Sequence, residues 1–227
     1  MKTGSKRSPM RAPCATPGSL ALRNEAAPEG LSSLGATVIA ETRAWVERAV
    51  IGLNLCPFAK AAQARGRTRF VCTEARDAEA LLGAFCEEVR ALAAADPSAV
   101  ETTLLVHPWV LRDFDDYNDF LDLSDAALQA LGCAGVLQVA SFHPHYRFEG
   151  TTADDIANAT NRSPYPTLQL LREDSVAAAA VAFPDSATIY EANIATLKTL
   201  GPAGWAKLQS ECRNDAARLA PAEADRG

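Results

Sequence analysis

The chain has 227 residues, 48% hydrophobic and 22% charged, with a formal net charge of −6. This is the length of one domain and the composition of a globular protein, which excludes wholesale disorder, a coiled-coil rod and a disulfide-stapled mini-scaffold. No apolar run approaches the ~20 residues of a membrane span, and an acidic body repels phosphate backbones, so neither a membrane nor nucleic acid is an expected partner.

The charge is uneven. Lys2, Lys6, Arg7, Arg11 and Arg23 give residues 1–24 a charge of +5 without a single acid, which leaves −11 for the rest. With Pro9, Pro13, Pro17 and Pro28 and no apolar period, residues 1–35 read as a disordered leader. The stretch is basic and acid-free, as a transit peptide is, but lacks the apolar segment of a secretory signal. Cys14, Cys56, Cys72, Cys86, Cys133 and Cys212 are widely spaced and form no CxxC pair. That is the pattern of reduced thiols in a cytoplasmic protein.

From residue 36 the pattern becomes that of one α/β domain ending near 212, with 213–227 as a polar tail. Val38, Ile39, Thr42, Trp45, Val46, Ala49, Val50 and Leu53 recur at three and four, a helix that Pro57 stops. Residues 57–65 read as a short second helix with proline first and Gly66 at its end. RTRFVCT (67–73) reads as a strand, and Leu81, Leu82, Phe85, Val89 and Leu92 as a helix. TTLLVH (102–107) is a buried strand by its continuous apolar run. Tyr117, Leu121, Leu128 and Leu131 form a helical stripe with a break expected near Ser124-Asp125, and VLQVASF (136–142) is a third strand. A loop-rich stretch, 143–166, leads to a fourth strand at 167–171. Helices follow over 173–182 and 187–212, interrupted at Gly201-Pro202. The expectation is a sheet of about four strands with helices packed on it.

All three histidines fall at or just beyond strand ends. His107 and His143 each close an apolar strand and precede a proline, and His145 follows two residues on. Ligands in open α/β sheets gather beyond the carboxyl ends of strands, so parallel neighbouring strands would bring His107 and His143 to one crevice as general bases or metal ligands. The alternative is that each imidazole caps its strand and hydrogen-bonds a loop carbonyl. His143 and His145 form a His-x-His step that could hold a metal, although no zinc pattern is present, and one histidine could be an axial haem ligand.

Cys56 is expected at the N-cap of the Pro57 helix, where the dipole favours thiolate; the alternative is a small buried apolar residue. In Asn161-Arg162-Ser163-Pro164-Tyr165-Pro166 the two prolines stiffen a loop that could present Arg162, with Asn161 and Tyr165, to a carboxylate or phosphate. Arg172 at the far end of the next strand could join them. Asp113, Asp115, Asp116 and Asp119 read as the acidic start of a helix.

The strings WVERAVIGLNLCPFAKA, TTLLVHPWVLRDFDDYNDFLD, GVLQVASFHPHYRFEG and NRSPYPTLQLLRE together resemble the bacterial domain-of-unknown-function family 1415 over about residues 37–209. The resemblance implies a cytoplasmic single-domain protein and supplies no catalytic residue. Cys56-Pro57-Phe58 and Asn161-Arg162-Ser163 are similar to segments of haem-dependent arginine-hydroxylase-like proteins, which implies haem. The expected function is a small-molecule enzyme with a Cys/His/Arg site, a haem- or single-metal-dependent oxidoreductase acting on an anionic substrate. A cofactor-free thiol enzyme using Cys56 and histidine, and a non-catalytic anion- or partner-binding protein, are the alternatives.

Overall fold

Strand β2 (Thr102–Val106) organises the molecule. All five of its residues are buried, so it needs a strand on each edge and helices on each face. The computed structural model describes residues 33–182 and 186–219, and in it β2 lies between β1 (Thr68–Cys72) and β4 (Thr167–Arg172), with β3 (Leu137–Phe142) outermost beside β4. β1 is parallel to β2, whereas β4 is antiparallel to both β2 and β3. The α/β class and the four-stranded sheet are those expected.

The strand order corrects one expectation. β2 and β3 point the same way, but they are not neighbours, because β4 is inserted between them. Burial explains the choice: β4 contributes Leu168 and Leu170, both fully buried, and takes an interior place. β3 has only Leu137 in the buried class and takes the edge.

Alternation along the strands divides the core. Leu105, Leu168 and Leu170 meet Leu81, Phe85 and Val89 of α3 (Ala78–Ala94) and Tyr117 and Phe120 of α4 (Phe114–Ala130). On the opposite face Phe70 and Leu104 meet Trp45 of α1 (Ser33–Trp45) and Leu197 and Trp205 of α6 (Ser186–Leu219). Asp77 and Asp113 cap α3 and α4, accepting from the Ala80 and Asp115 backbone N–H groups at 2.8 and 2.9 Å. The acidic run after His107 is thus a helix start, and Asp115 also pairs with Arg147 at 2.8 Å. Among the described residues no helix is long and apolar enough to cross a membrane.

Several boundaries differ from expectation. The first helix ends in a π-helical turn, Val46–Ile51, in which Gly52 N–H donates to the Glu47 carbonyl at 2.9 Å. A side chain at Gly52 would place Cβ 2.3 Å from the Arg48 carbonyl oxygen, so only glycine fits there. α4 runs unbroken past Ser124, whose hydroxyl donates back to the Phe120 carbonyl at 3.2 Å. Residues 213–219, expected as tail, continue α6 because Cys212 and Ala216 are buried on its inner face. α6 kinks at Gly201 (φ 66°), just before Pro202, where a break was expected. Residues 33–35 form the first turn of α1, and the rest of the expected leader, 1–32, lies outside the described residues.

Candidate functional site

The carboxyl ends of β2 and β3 carry His107 and His143 onto the α4 side of the sheet. Both are fully buried, and Tyr117 lies between them, its ring centroid 5.7 Å from His107 and 5.1 Å from His143. The Tyr117 hydroxyl donates to the Thr167 carbonyl at 2.8 Å and accepts from Phe142 N–H at 3.0 Å, tying α4 to β4 and β3. His107 Nδ1 bonds the Val110 carbonyl at 3.1 Å. His143 Nε2 bonds the Leu111 carbonyl at 3.2 Å, and its Nδ1 accepts from His145 N–H at 3.0 Å. These partners require Nδ1–H on His107 and Nε2–H on His143. Burial holds both imidazoles down to about pKa 4, so they are neutral at pH 7.

The two rings therefore act as strand-end clamps on the loop after β2. Leu111 in that loop has φ 53°, a left-handed conformation that costs a leucine roughly 1–2 kcal/mol, and His143 holds its carbonyl. Three of the four ring nitrogens are committed to backbone, and the fourth, His107 Nε2, is buried without a partner among the described residues. This donor set does not fit an axial haem ligand, which needs a free nitrogen facing an open space. His145 is exposed, and its ring lies 5.8 Å from that of His143. Among the described residues no group of three His, Cys, Asp or Glu side chains could hold a metal ion.

A separate cleft opens on the α1/α6 side, a cavity of about 210 Å³. The stiff loop supplies Arg162, Ser163 and Tyr165, α1 supplies Glu41 and Trp45, and α6 supplies Gln209, Cys212 and Arg213. Arg162 is held from behind, its Nε donating to the Tyr146 carbonyl at 3.4 Å and its Nη2 to the Ala153 carbonyl at 2.5 Å. Burial lowers its guanidinium from the usual value, opposed by the charges of Asp154 and Asp155. The Tyr165 hydroxyl donates to Glu41 Oε2 at 2.8 Å, and burial together with Glu41 pushes that phenol well above its ordinary range. Among the described residues neither Arg162 nor Arg213 has a carboxylate within salt-bridge distance. Cys212 is buried, and its thiol is pushed up to about 11, chiefly by burial.

The single hollow expected from the sequence is thus two places. The histidines meet around Tyr117, while Arg162 and Tyr165 meet α1 and α6 on the other side. Asn161 serves the backbone: its Nδ2 donates to the Ser141 carbonyl at 3.1 Å, and its own carbonyl accepts from His143 N–H at 3.1 Å. Arg172 is remote from Arg162 at the opposite end of β4, donating to the Leu92, Ala95 and Val100 carbonyls at 2.7, 2.7 and 3.2 Å. There it closes the carboxyl end of α3. Cys56 does not cap a helix: Phe58 is the N-cap residue of α2 (Ala59–Ala64), and the Cys56 carbonyl accepts from Ala59 N–H at 3.2 Å. Pro57 takes the second position of that turn, as its fixed φ favours. Cys56 packs with the α1/α6 cluster, on the other sheet face from the imidazoles.

The sequence reading missed Glu41, Gln209 and Arg213. A partial signal exists, since Glu41 and Trp45 on α1, and Gln209 and Arg213 on α6, are each spaced i, i+4 and so share a helix face. Nothing local says that these two faces oppose each other. Tyr117 was read only as part of an apolar stripe, and its buried hydroxyl is what gives it a second role.

Residues 37–207 match a family model described as "Protein of unknown function (DUF1415)". No curated protein and no solved structure matches the chain.

Proposed function

The chain belongs to the DUF1415 family, and we propose that it works by binding a small anionic molecule in the cleft between α1, α6 and the 162–165 loop. The observation carrying this reading is the pair of guanidiniums, Arg162 and Arg213, lining one concavity, neither with a carboxylate within salt-bridge distance among the described residues, although Glu41 lines it too. In a molecule of net charge −6, two guanidiniums against one carboxylate leave this hollow with an excess of positive charge that an anion would complete. Arg162 is oriented by backbone carbonyls, so its fork is ordered before the ligand arrives and loses little freedom on binding. The cavity of about 210 Å³ is smaller than the roughly 300–1,000 Å³ that encloses drug-sized ligands, which favours a compact metabolite.

Charge-assisted hydrogen bonds contribute about 1.5–3 kcal/mol each, or roughly ten- to a hundredfold in affinity. Calorimetric titration of the full chain with inorganic phosphate and with simple mono- and dicarboxylates tests the reading. Binding should weaken by at least about tenfold in Arg213→Ala, which leaves the loop intact, and in Arg162→Lys, which keeps a charge but not the fork. Failure of every one of these anions, and of the acidic amino acids, to bind would overturn it.

A further inference from the structure

The cleft holds a third unpaired charge. Glu41 shares it with Arg162 and Arg213, and among the described residues no Lys, Arg or His lies within salt-bridge distance of its carboxylate. One oxygen, Oε2, accepts from the Tyr165 hydroxyl, which fixes the carboxylate and leaves Oε1 for another donor. Gln209 lines the same space with no partner for its side-chain amide among the described residues. A ligand that is only anionic would gain from the two guanidiniums but would face Glu41 across a cavity of about 210 Å³, and like charges at such range oppose each other.

Resting on the anion-binding reading, we infer that the ligand is an acidic amino acid, with two carboxylates for Arg162 and Arg213 and an ammonium for Glu41. The charges balance: two cations and one anion on the protein meet two anions and one cation on the ligand. Trp45 supplies an apolar wall for the short carbon chain. Glu41 then selects for the amine, because a dicarboxylate of the same skeleton leaves it unpaired and repelling. A neutral amino acid leaves one guanidinium unmet.

Calorimetry on the full chain decides between these. L-aspartate and L-glutamate are compared with succinate and glutarate, which lack the amine, with L-alanine, which lacks the second carboxylate, and with inorganic phosphate. One acidic amino acid is expected to bind at least about tenfold more tightly than its des-amino partner and than alanine. Glu41→Gln retains an acceptor for the Tyr165 hydroxyl and should bring the aspartate and succinate affinities, or the glutamate and glutarate pair, together. Succinate or glutarate binding as tightly as the amino acids, or alanine doing so, would overturn the inference while leaving anion binding standing. If none of the probes binds, phosphate included, both readings fall.

Discussion

His107 and His143, from strands that do not touch, hold consecutive carbonyls of one loop: His107 Nδ1 that of Val110 at 3.1 Å, His143 Nε2 that of Leu111 at 3.2 Å. The loop that leads into α4 is thus pinned from two points of the sheet by ring N–H donors, and burial keeps both rings neutral.

Acid should destabilise the fold around them, because it puts a charge on a buried ring and, at His143, takes the Nδ1 lone pair that accepts from His145 N–H. Each imidazole is lowered to about 4 in the folded chain from 6.5, chiefly by desolvation, with His145 lowering and Asp113 raising the value at His143. The unfolded chain binds more protons between these values, so stability is full above pH 6.5 and falls as pH drops towards 4. At 1.36 kcal/mol per unit the loss is on the order of 3 kcal/mol for each histidine. Urea midpoints measured from pH 7.5 to 4 should decline across that window, and His107→Asn, which keeps a donor near the Nδ1 position, should flatten the decline. A midpoint independent of pH would contradict the assignment.

Tyr117→Phe should be costly although it removes a single oxygen. The Thr167 carbonyl and the Phe142 N–H would both lose a partner in a fully buried place, at roughly 1–3 kcal/mol each. Chemical denaturation should show a loss of about 2–6 kcal/mol with an unchanged slope, and hydrogen exchange at the Phe142 amide should quicken. Wild-type stability in this variant would mean the hydroxyl is not the link between α4 and the two strands.

Arg172 should matter to stability and not to ligand binding. It donates to three carbonyls where α3 ends and the chain turns towards β2: that of Leu92, which also accepts from Ala95 N–H at 3.2 Å, and those of Ala95 and Val100 just beyond the helix. Arg172→Ala should lower stability by about 2–4 kcal/mol, and Arg172→Lys should recover only part of it. Anion affinity of the Lys variant should equal that of wild type; a weaker affinity would place Arg172 in the binding machinery after all.

Thiol labelling should separate the cysteines by burial. Cys72 and Cys212 are buried, with thiols pushed up to about 11, chiefly by desolvation, whereas Cys56 is half-buried. Because the thiolate is the reacting form, alkylation at pH 8 followed by peptide mass mapping should modify Cys56 well before either buried thiol. Equal rates in the native chain would show that the core around α6 opens readily.

Much of the fold was legible because it is local. Apolar period, the Gly201-Pro202 break and the continuous run of β2 are decided by contacts within a few residues, and the structure places elements where those signals fall; the first helix, expected to run to Pro57, ends earlier, at Ile51. The histidine pair was legible as two matching strand ends, and hydrogen bonding of loop carbonyls was one of the two roles open to it. Arg162 and Tyr165 were legible as a proline-stiffened loop.

What the sequence left open is everything that depends on which surfaces meet. β4 enters the sheet between β2 and β3 because Leu168 and Leu170 need cover on a scale that no local window contains. The same holds for the cleft. Glu41 and Arg213 lie near opposite ends of the described chain and face one ligand-sized space only because α1 and α6 bury their tryptophans against the same side of the sheet. Periodicity tells which face of a helix is apolar, but the partner of that face is chosen by the packing of the whole core, and in this protein that choice assembles the candidate site.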